Sequence, residues 1–116
     1  MSSRKRNSSV PLKPAVFHIL LALSDGDHHG LGIADVVEES TAGAIRLGPG
    51  TLYRSLKEMT QDGLVREVAA PDGDEDPRRK FYRLTRTGRE VLRAEASRYE
   101  RIVDIARKRA VLPGTR

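Results

Sequence analysis

Residues 15–23, Ala-Val-Phe-His-Ile-Leu-Leu-Ala-Leu, set the tightest limit on the fold. Val16, Phe17, Ile19, Leu20, Leu21 and Leu23 point to nearly every side of a helix. Pro14 suits its first turn, where a backbone N–H would have no partner anyway. The run is interrupted by His18 and is too short to span a bilayer. A helix apolar all round that does not enter a membrane must be wrapped by other elements, so it belongs in the middle of a small domain. The 116 residues suffice for one such core and not for two. Ser24-Asp25-Gly26-Asp27 ends the helix.

The wrapping elements follow from periodicity. A second helix is expected from about 30 to 40, with Ile33, Val36 and Val37 as its apolar stripe and Asp35, Glu38 and Glu39 facing water. Thr41-Ala42-Gly43 breaks it, and the short stretch 44–47 can be extended. A third helix opens on Gly48-Pro49-Gly50 and closes at Asp62-Gly63. Leu52, Leu56 and Met59 mark its buried face, which leaves Thr51, Tyr53, Arg54 and Lys57 outside. Two short strands, 64–68 and 80–84, flank a polar loop over 71–79 and make a hairpin. Thr85 is an N-cap for a last helix reaching about Val111, although Gly88 weakens its first turn. Leu92, Ala96, Tyr99, Val103, Ala106 and Ala110 form a heptad-spaced seam along it, suited to a second copy of the chain. The same seam could instead pack back on its own domain.

This order specifies a mainly α fold with a small β-hairpin wing (α+β), a winged helix-turn-helix with a long C-terminal dimerisation helix. The expected divisions are a basic arm over 1–12, the winged domain over 13–84, the dimerisation helix over 85–112 and a tail over 113–116. In such a domain the third helix enters the DNA major groove. Gly48 and Gly50 let backbone approach phosphate, and the helix N-terminus favours an anion. Thr51 and Tyr53 are then phosphate donors, while Arg54 and next Lys57 are the candidates for base edges. The bland alternative for Tyr53 is that it caps a packed edge.

Charge placement agrees. The net charge is +5, with four bases and no acid in residues 1–13 and ten bases against four acids in residues 81–116. Arg4, Lys5 and Arg6 suit the minor groove or nearby phosphates, or else form a solubilising tail. The wing is ambiguous: Arg78, Arg79 and Lys80 attract phosphate, while Asp72, Asp74, Glu75 and Asp76 repel it. The expectation is that the bases lie nearer DNA and the acids point outward, lowering nonspecific affinity. The acid spacing does not make a calcium loop. His28-His29 reads as a turn and helix start, because adjacent histidines point apart and no third ligand is near. Absence of cysteine excludes disulfides and thiolate sites. No nucleophile–base set, phosphate loop or metal cluster is visible, so no catalytic residue, metal or cofactor is assigned. The basic N-terminal stretch lacks the apolar core and cleavage site of a signal peptide, and a cytoplasmic protein with no membrane partner is expected.

"PGTLYRSLKEMTQDGLV" from 49 to 65 and "RRKFYRLTRTGREVL" from 78 to 92, with weaker support from "HGLGIADVVEES" at 29–40, resemble the PadR-like transcriptional regulators over about residues 12–110. The resemblance implies a homodimeric bacterial repressor acting on operator DNA at the nucleoid. It also implies DNA-surface roles for Thr51 and Tyr53, and a wing tip at the adjacent groove or backbone through Arg78, Arg79 and Lys80. Three departures stand out. Gly48 replaces a frequent serine, and Gly30-Leu31-Gly32 replaces glycine-tyrosine. Some members bind planar aromatic effectors between subunits, one through tryptophan; this chain has no tryptophan, and Tyr99 is the single aromatic of its last helix. The sequence therefore leaves a small aromatic effector open. The alternative function is a winged-helix module for protein partners without specific DNA recognition.

Overall fold

In the computed structural model, which describes residues 11–114, helix α1 (Pro14–Ala22) lies against each of the other three helices. A 3-10 turn (Leu23–Asp25) leads to strand β1 (His28–His29), helix α2 (Gly30–Ser40), helix α3 (Pro49–Gln61), strands β2 (Val65–Val68) and β3 (Phe81–Leu84), and helix α4 (Arg86–Lys108). Ile19, Leu20 and Leu23 meet Ile33 and Val37 of α2, Leu52, Leu56 and Met59 of α3, and Val91 and Leu92 of α4 in one core. The expected wrapping of α1 is incomplete. Leu21 is 42% exposed and Phe17 only half-buried, so among the described residues one side of the helix has no cover.

The sheet is antiparallel in the order β1-β3-β2, with Val65 opposite Leu84, Val68 opposite Phe81 and His28 opposite Tyr82. The hairpin is legible from alternation; the sheet's third strand, His28–His29, lies where a turn and helix start were expected. Residues 44–47 take no strand; the Thr41 hydroxyl accepts the Ile45 N–H at 3.0 Å and holds the chain there as a loop. A two-residue strand has no period to read, which is why sequence pattern misses it.

Helix α4 begins at a tight junction. Thr85 accepts the Gly88 N–H on its hydroxyl at 2.9 Å, and that hydroxyl donates back to the Gly63 carbonyl at 2.6 Å. The Thr85 N–H reaches the Leu64 carbonyl at 3.1 Å. Gly88 is buried against the same carbonyl, and a methyl group there would collide with backbone. The glycine that weakens the first turn is therefore what permits the approach. At its far end α4 stops at Lys108, short of the expected 112. Ala110 takes a left-handed conformation, φ 60°, and the Val111 N–H returns to the Ala106 carbonyl at 2.8 Å.

One buried charge was not foreseen. The Glu95 side chain on α4 is fully buried and pairs with Arg98, Nε to Oε1 at 2.9 Å and Nη2 to Oε2 at 3.1 Å. Its Oε2 also accepts the Leu12 N–H at 2.8 Å, tying the segment before α1 to α4. The Arg98 hydrogen bonds hold the Glu95 carboxyl below its usual range; burial opposes this and the Leu12 N–H assists. A depressed carboxyl pKa means stability that is complete above the unfolded value, about 4.3, and is lost as pH falls through the folded value. Glu95→Gln should thus destabilise by on the order of 1–3 kcal/mol at pH 7. Urea titrations of the two proteins should converge as pH drops below about 4; a gap unchanged by acid would show that the charge of Glu95 carries none of the effect.

Candidate nucleic-acid interface

Helix α3 is placed by its buried face. Leu52, Leu56 and Met59 are in the core, and Gly63, at φ +77°, closes the helix with the Leu64 N–H returning to the Met59 carbonyl at 2.9 Å. Gly48 stands as an N-cap without a side-chain acceptor, which leaves the first N–H groups of α3 open to an outside anion. Thr51, Tyr53, Arg54 and Lys57 are all exposed on the opposite face. Neither Arg54 nor Lys57 forms an ion pair among the described residues.

Tyr53 is 47% exposed, and its position is specific. Its ring tip rests on Gly30, the first residue of α2, where any side chain would run into the hydroxyl and ring. The phenol therefore both covers a packed edge and presents its hydroxyl beside the N-terminus of α2. Gly30 is the residue that sequence reasoning missed. Its signal, a glycine at a helix start, is common enough to pass unnoticed. His29 caps α2 by accepting the Gly32 N–H on Nδ1 at 3.2 Å, and its ring sits edge-on to Phe81 at 5.3 Å. His28 turns the other way, 3.5 Å from Asp25, as adjacent histidines should.

Between these helices and the wing runs a trough. One cavity of about 240 Å³ is lined by Gly30, Leu31, Tyr53, Arg79, Lys80 and Tyr82, with His29 at its edge. A second, of about 320 Å³, shares Tyr53, Lys80 and Tyr82 and continues along α3 past Lys57. Tyr82 forms part of the floor; burial, with help from Glu67 and Tyr53, pushes its phenol above the usual range and keeps it protonated.

The wing differs from expectation. Its acids do not all point outward. Asp74 turns in and grips Arg79 through two bonds, Nε to Oδ2 at 3.1 Å and Nη2 to Oδ1 at 3.2 Å. Arg78 lies 3.8 Å from Asp76 and Lys80 3.7 Å from Glu67. These three bases, at 78–80, are thus paired with carboxylates, whereas Arg66 of β2 is exposed and forms no ion pair among the described residues. In β3, Arg83 is held by Asp27 at 2.8 Å. Arg4, Lys5 and Arg6 lie outside the described residues.

The dimer seam also divides. Leu92 is in the chain's own core, and Tyr99 meets Phe17 edge-on at 4.9 Å with Arg98 stacked 4.9 Å over its ring. Leu92 is already covered within one copy, and Tyr99 is half-buried there. Ala96 is exposed, Val103 and Ala106 are half-buried, and Ala110 is past the helix end. The large apolar side chains left bare on α4 are Ile102 and Ile105, at 47% and 46%, one helical step away from the expected line.

Gly30→Ala tests the seat of Tyr53. Because the obstructing atoms are the far end of a side chain, the ring can swing aside. Thermal stability should change by less than about 1 kcal/mol, while affinity for a DNA duplex should fall as far as in Tyr53→Ala. Unchanged affinity in Gly30→Ala would show that the seat is dispensable.

The geometry agrees with known relatives. A family model, the transcriptional regulator PadR-like family, matches residues 19–94. A transcriptional regulator of Mycobacterium tuberculosis is 38% identical over 76 residues, 65% of this chain and 65% of its own length. An uncharacterised 37.1 kDa protein of a Streptomyces fradiae transposon is 37% identical over 84 residues, 72% of this chain but 22% of its own length. This chain therefore spans under two thirds of the curated relatives it matches. Among solved structures, a PadR-family regulator of Clostridium difficile superposes with a TM-score of 0.70 at 24% identity, covering 83% of this chain and 97% of that one. Bacillus subtilis PadR, solved with operator DNA, superposes at 0.60 and 23% identity, covering 70% of this chain and 45% of that one. No described helix is long and apolar enough to cross a membrane. With its winged helix-turn-helix architecture and a family match over most of its length, the chain belongs to the PadR-like family of transcriptional regulators.

Proposed function

We propose that this protein is a sequence-specific DNA-binding regulator, a homodimeric repressor whose α3 helix reads the major groove. The observation that carries the reading is the exposed face of α3, where Arg54 and Lys57 stand free of carboxylates while Arg78, Arg79 and Lys80 of the wing are each paired. Thr51 and the Tyr53 hydroxyl contact phosphate and fix register; Arg54 reads a guanine edge, with Lys57 the next reader along. Lys80 lines the trough beside Tyr53 and meets the same backbone, while Arg78 and Arg79 supply the rest of the wing contact. The basic arm residues Arg4, Lys5 and Arg6 add phosphate contacts. The operator complex solved for the Bacillus subtilis relative supports DNA as the partner.

The second copy packs on the bare Ile102 and Ile105 of α4, with Val103 and Ala106 beside them, and on Leu21, the side of α1 that its own chain leaves open. A small aromatic effector, which the family resemblance brings in, would have to break or extend the contact of Tyr99 with Phe17.

Selection of bound duplexes from a random pool tests both parts. Wild-type protein should recover a two-fold-symmetric site, and the Tyr53→Ala, Arg54→Ala double variant should recover none. Ile102→Glu with Ile105→Glu should sediment as a monomer and bind a single half-site weakly. Weak binding of equal salt sensitivity in wild type and double variant, with no site recovered, would reject sequence reading by α3 and turn the search to a protein partner.

A further inference from the structure

The wing loop contains a contact that opposes its own proposed use. Asp74 is only 13% exposed at its side chain, although four acids and three bases crowd residues 71–80. Its Oδ2 accepts the Asp76 N–H at 3.1 Å, which bends the loop, and both its oxygens grip Arg79. Arg79 in turn lies 6.0 Å over the Phe81 ring and lines the cavity shared with Gly30, Tyr53 and Lys80. A carboxylate and a phosphate bind a guanidinium in the same two-pronged way. The Nε–Nη2 edge, one of the two guanidinium edges that clasp a phosphate side by side, is the edge Asp74 occupies.

We propose that Asp74 is an internal competitor for DNA phosphate: it holds the Nε–Nη2 edge of Arg79 in reserve, and a duplex takes that edge only by displacing the carboxylate from it. The Arg79 hydrogen bonds also keep the Asp74 carboxyl below its usual range, so the competitor is charged at neutral pH. The exchange is nearly neutral in charge, one anion replacing another on the same cation. It therefore lowers affinity for any duplex regardless of sequence and leaves discrimination to the base-reading residues of α3. Asp72, which is exposed and forms no ion pair among the described residues, lacks this role. The inference rests on the DNA-binding reading above.

The experiment measures affinity for a random-sequence duplex across a salt series, using wild type, Asp74→Asn, Asp72→Asn, Arg79→Ala and the Asp74→Asn, Arg79→Ala pair. Asparagine keeps an oxygen for the Asp76 N–H, so the bend survives while the charged grip is lost. Asp74→Asn should bind several-fold tighter, with a salt slope steeper by about 0.9, the value of one added phosphate contact. Asp72→Asn should move affinity much less. Asp74→Asn should have no effect once Arg79 is alanine. An equal gain in Asp72→Asn would reduce Asp74 to a general charge effect and overturn the proposal. Weaker binding in Asp74→Asn would overturn it in the other direction, by making Asp74 a support that aims Arg79 at DNA. A wild type that binds no duplex at any salt would remove the DNA-binding reading itself; wild-type binding with Asp74→Asn no tighter removes only this inference.

Discussion

The rest of the molecule hangs on the junction where Thr85 and Gly88 meet the Gly63 and Leu64 carbonyls. Three elements end or begin within a few ångströms there: α3 closes at Gly63, β2 starts at Val65, and α4 is capped by Thr85. Each leaves backbone groups without partners within its own element. A single hydroxyl, one backbone N–H and one glycine satisfy them together. The consequence is geometric. The end of α3, the root of the wing and the start of α4 cannot move independently. A side chain at 88 would push α4 off the Leu64 carbonyl and so disturb all three at once.

That rigid frame makes the distribution of charge meaningful. A cation on a mobile loop can find any phosphate; a cation on this frame presents its charge in one place. The frame leaves Arg54 and Lys57 bare on α3, yet neutralises Arg78, Arg79 and Lys80 within the wing. The exposed pairs of Arg78 and Lys80 contribute little to stability. In the proposed DNA complex their weight falls on binding, because each must be loosened or shared when the duplex arrives. The trough between α3 and the wing thus has one side ready for an anion and one side held back.

Much of this was legible from residues alone, for a stated reason in each case. Helices α2 and α3 follow the i, i+3, i+4 spacing of Ile33-Val36-Val37 and Leu52-Leu56-Met59, and their ends follow glycine and proline. The hairpin follows alternation bounded by turn residues. What could not be read is what depends on distant partners. His28–His29 becomes a strand only because β3 lies beside it. Asp74 turns inward only because Arg79 is five residues on across a bend. Leu92 and Tyr99 fit a heptad seam by spacing, but the face of a long helix that meets its own domain is chosen by packing. Tyr53 was read as exposed and is, yet the glycine beneath it belongs to another helix and left no local trace.

Helix α4 shows how one sequence period can serve two surfaces. Gly88, Val91 and Leu92 face the domain, and bare Ile102 and Ile105 follow farther out. An uninterrupted apolar stripe could pack on the domain in more than one register, because apolar contact is nondirectional. Glu95 and Arg98 interrupt it. A buried acceptor that loses a hydrogen-bond donor costs about 1–3 kcal/mol. The Leu12 N–H that helps satisfy Glu95 is available at one place only. Sliding α4 by a turn would carry Arg98 along but lose the Leu12 N–H, so the Leu12–Glu95 bond acts as a register pin, a well-attested use of buried polar groups. In the proposed dimer the pin matters for DNA. Two reading helices must stand about 34 Å apart, or a multiple of it, to enter successive major grooves. Since α4 is pinned to the domain at Glu95 and to the end of α3 through Thr85, the spacing is set by where Ile102 and Ile105 meet their counterparts, and not by flexure of the domain itself.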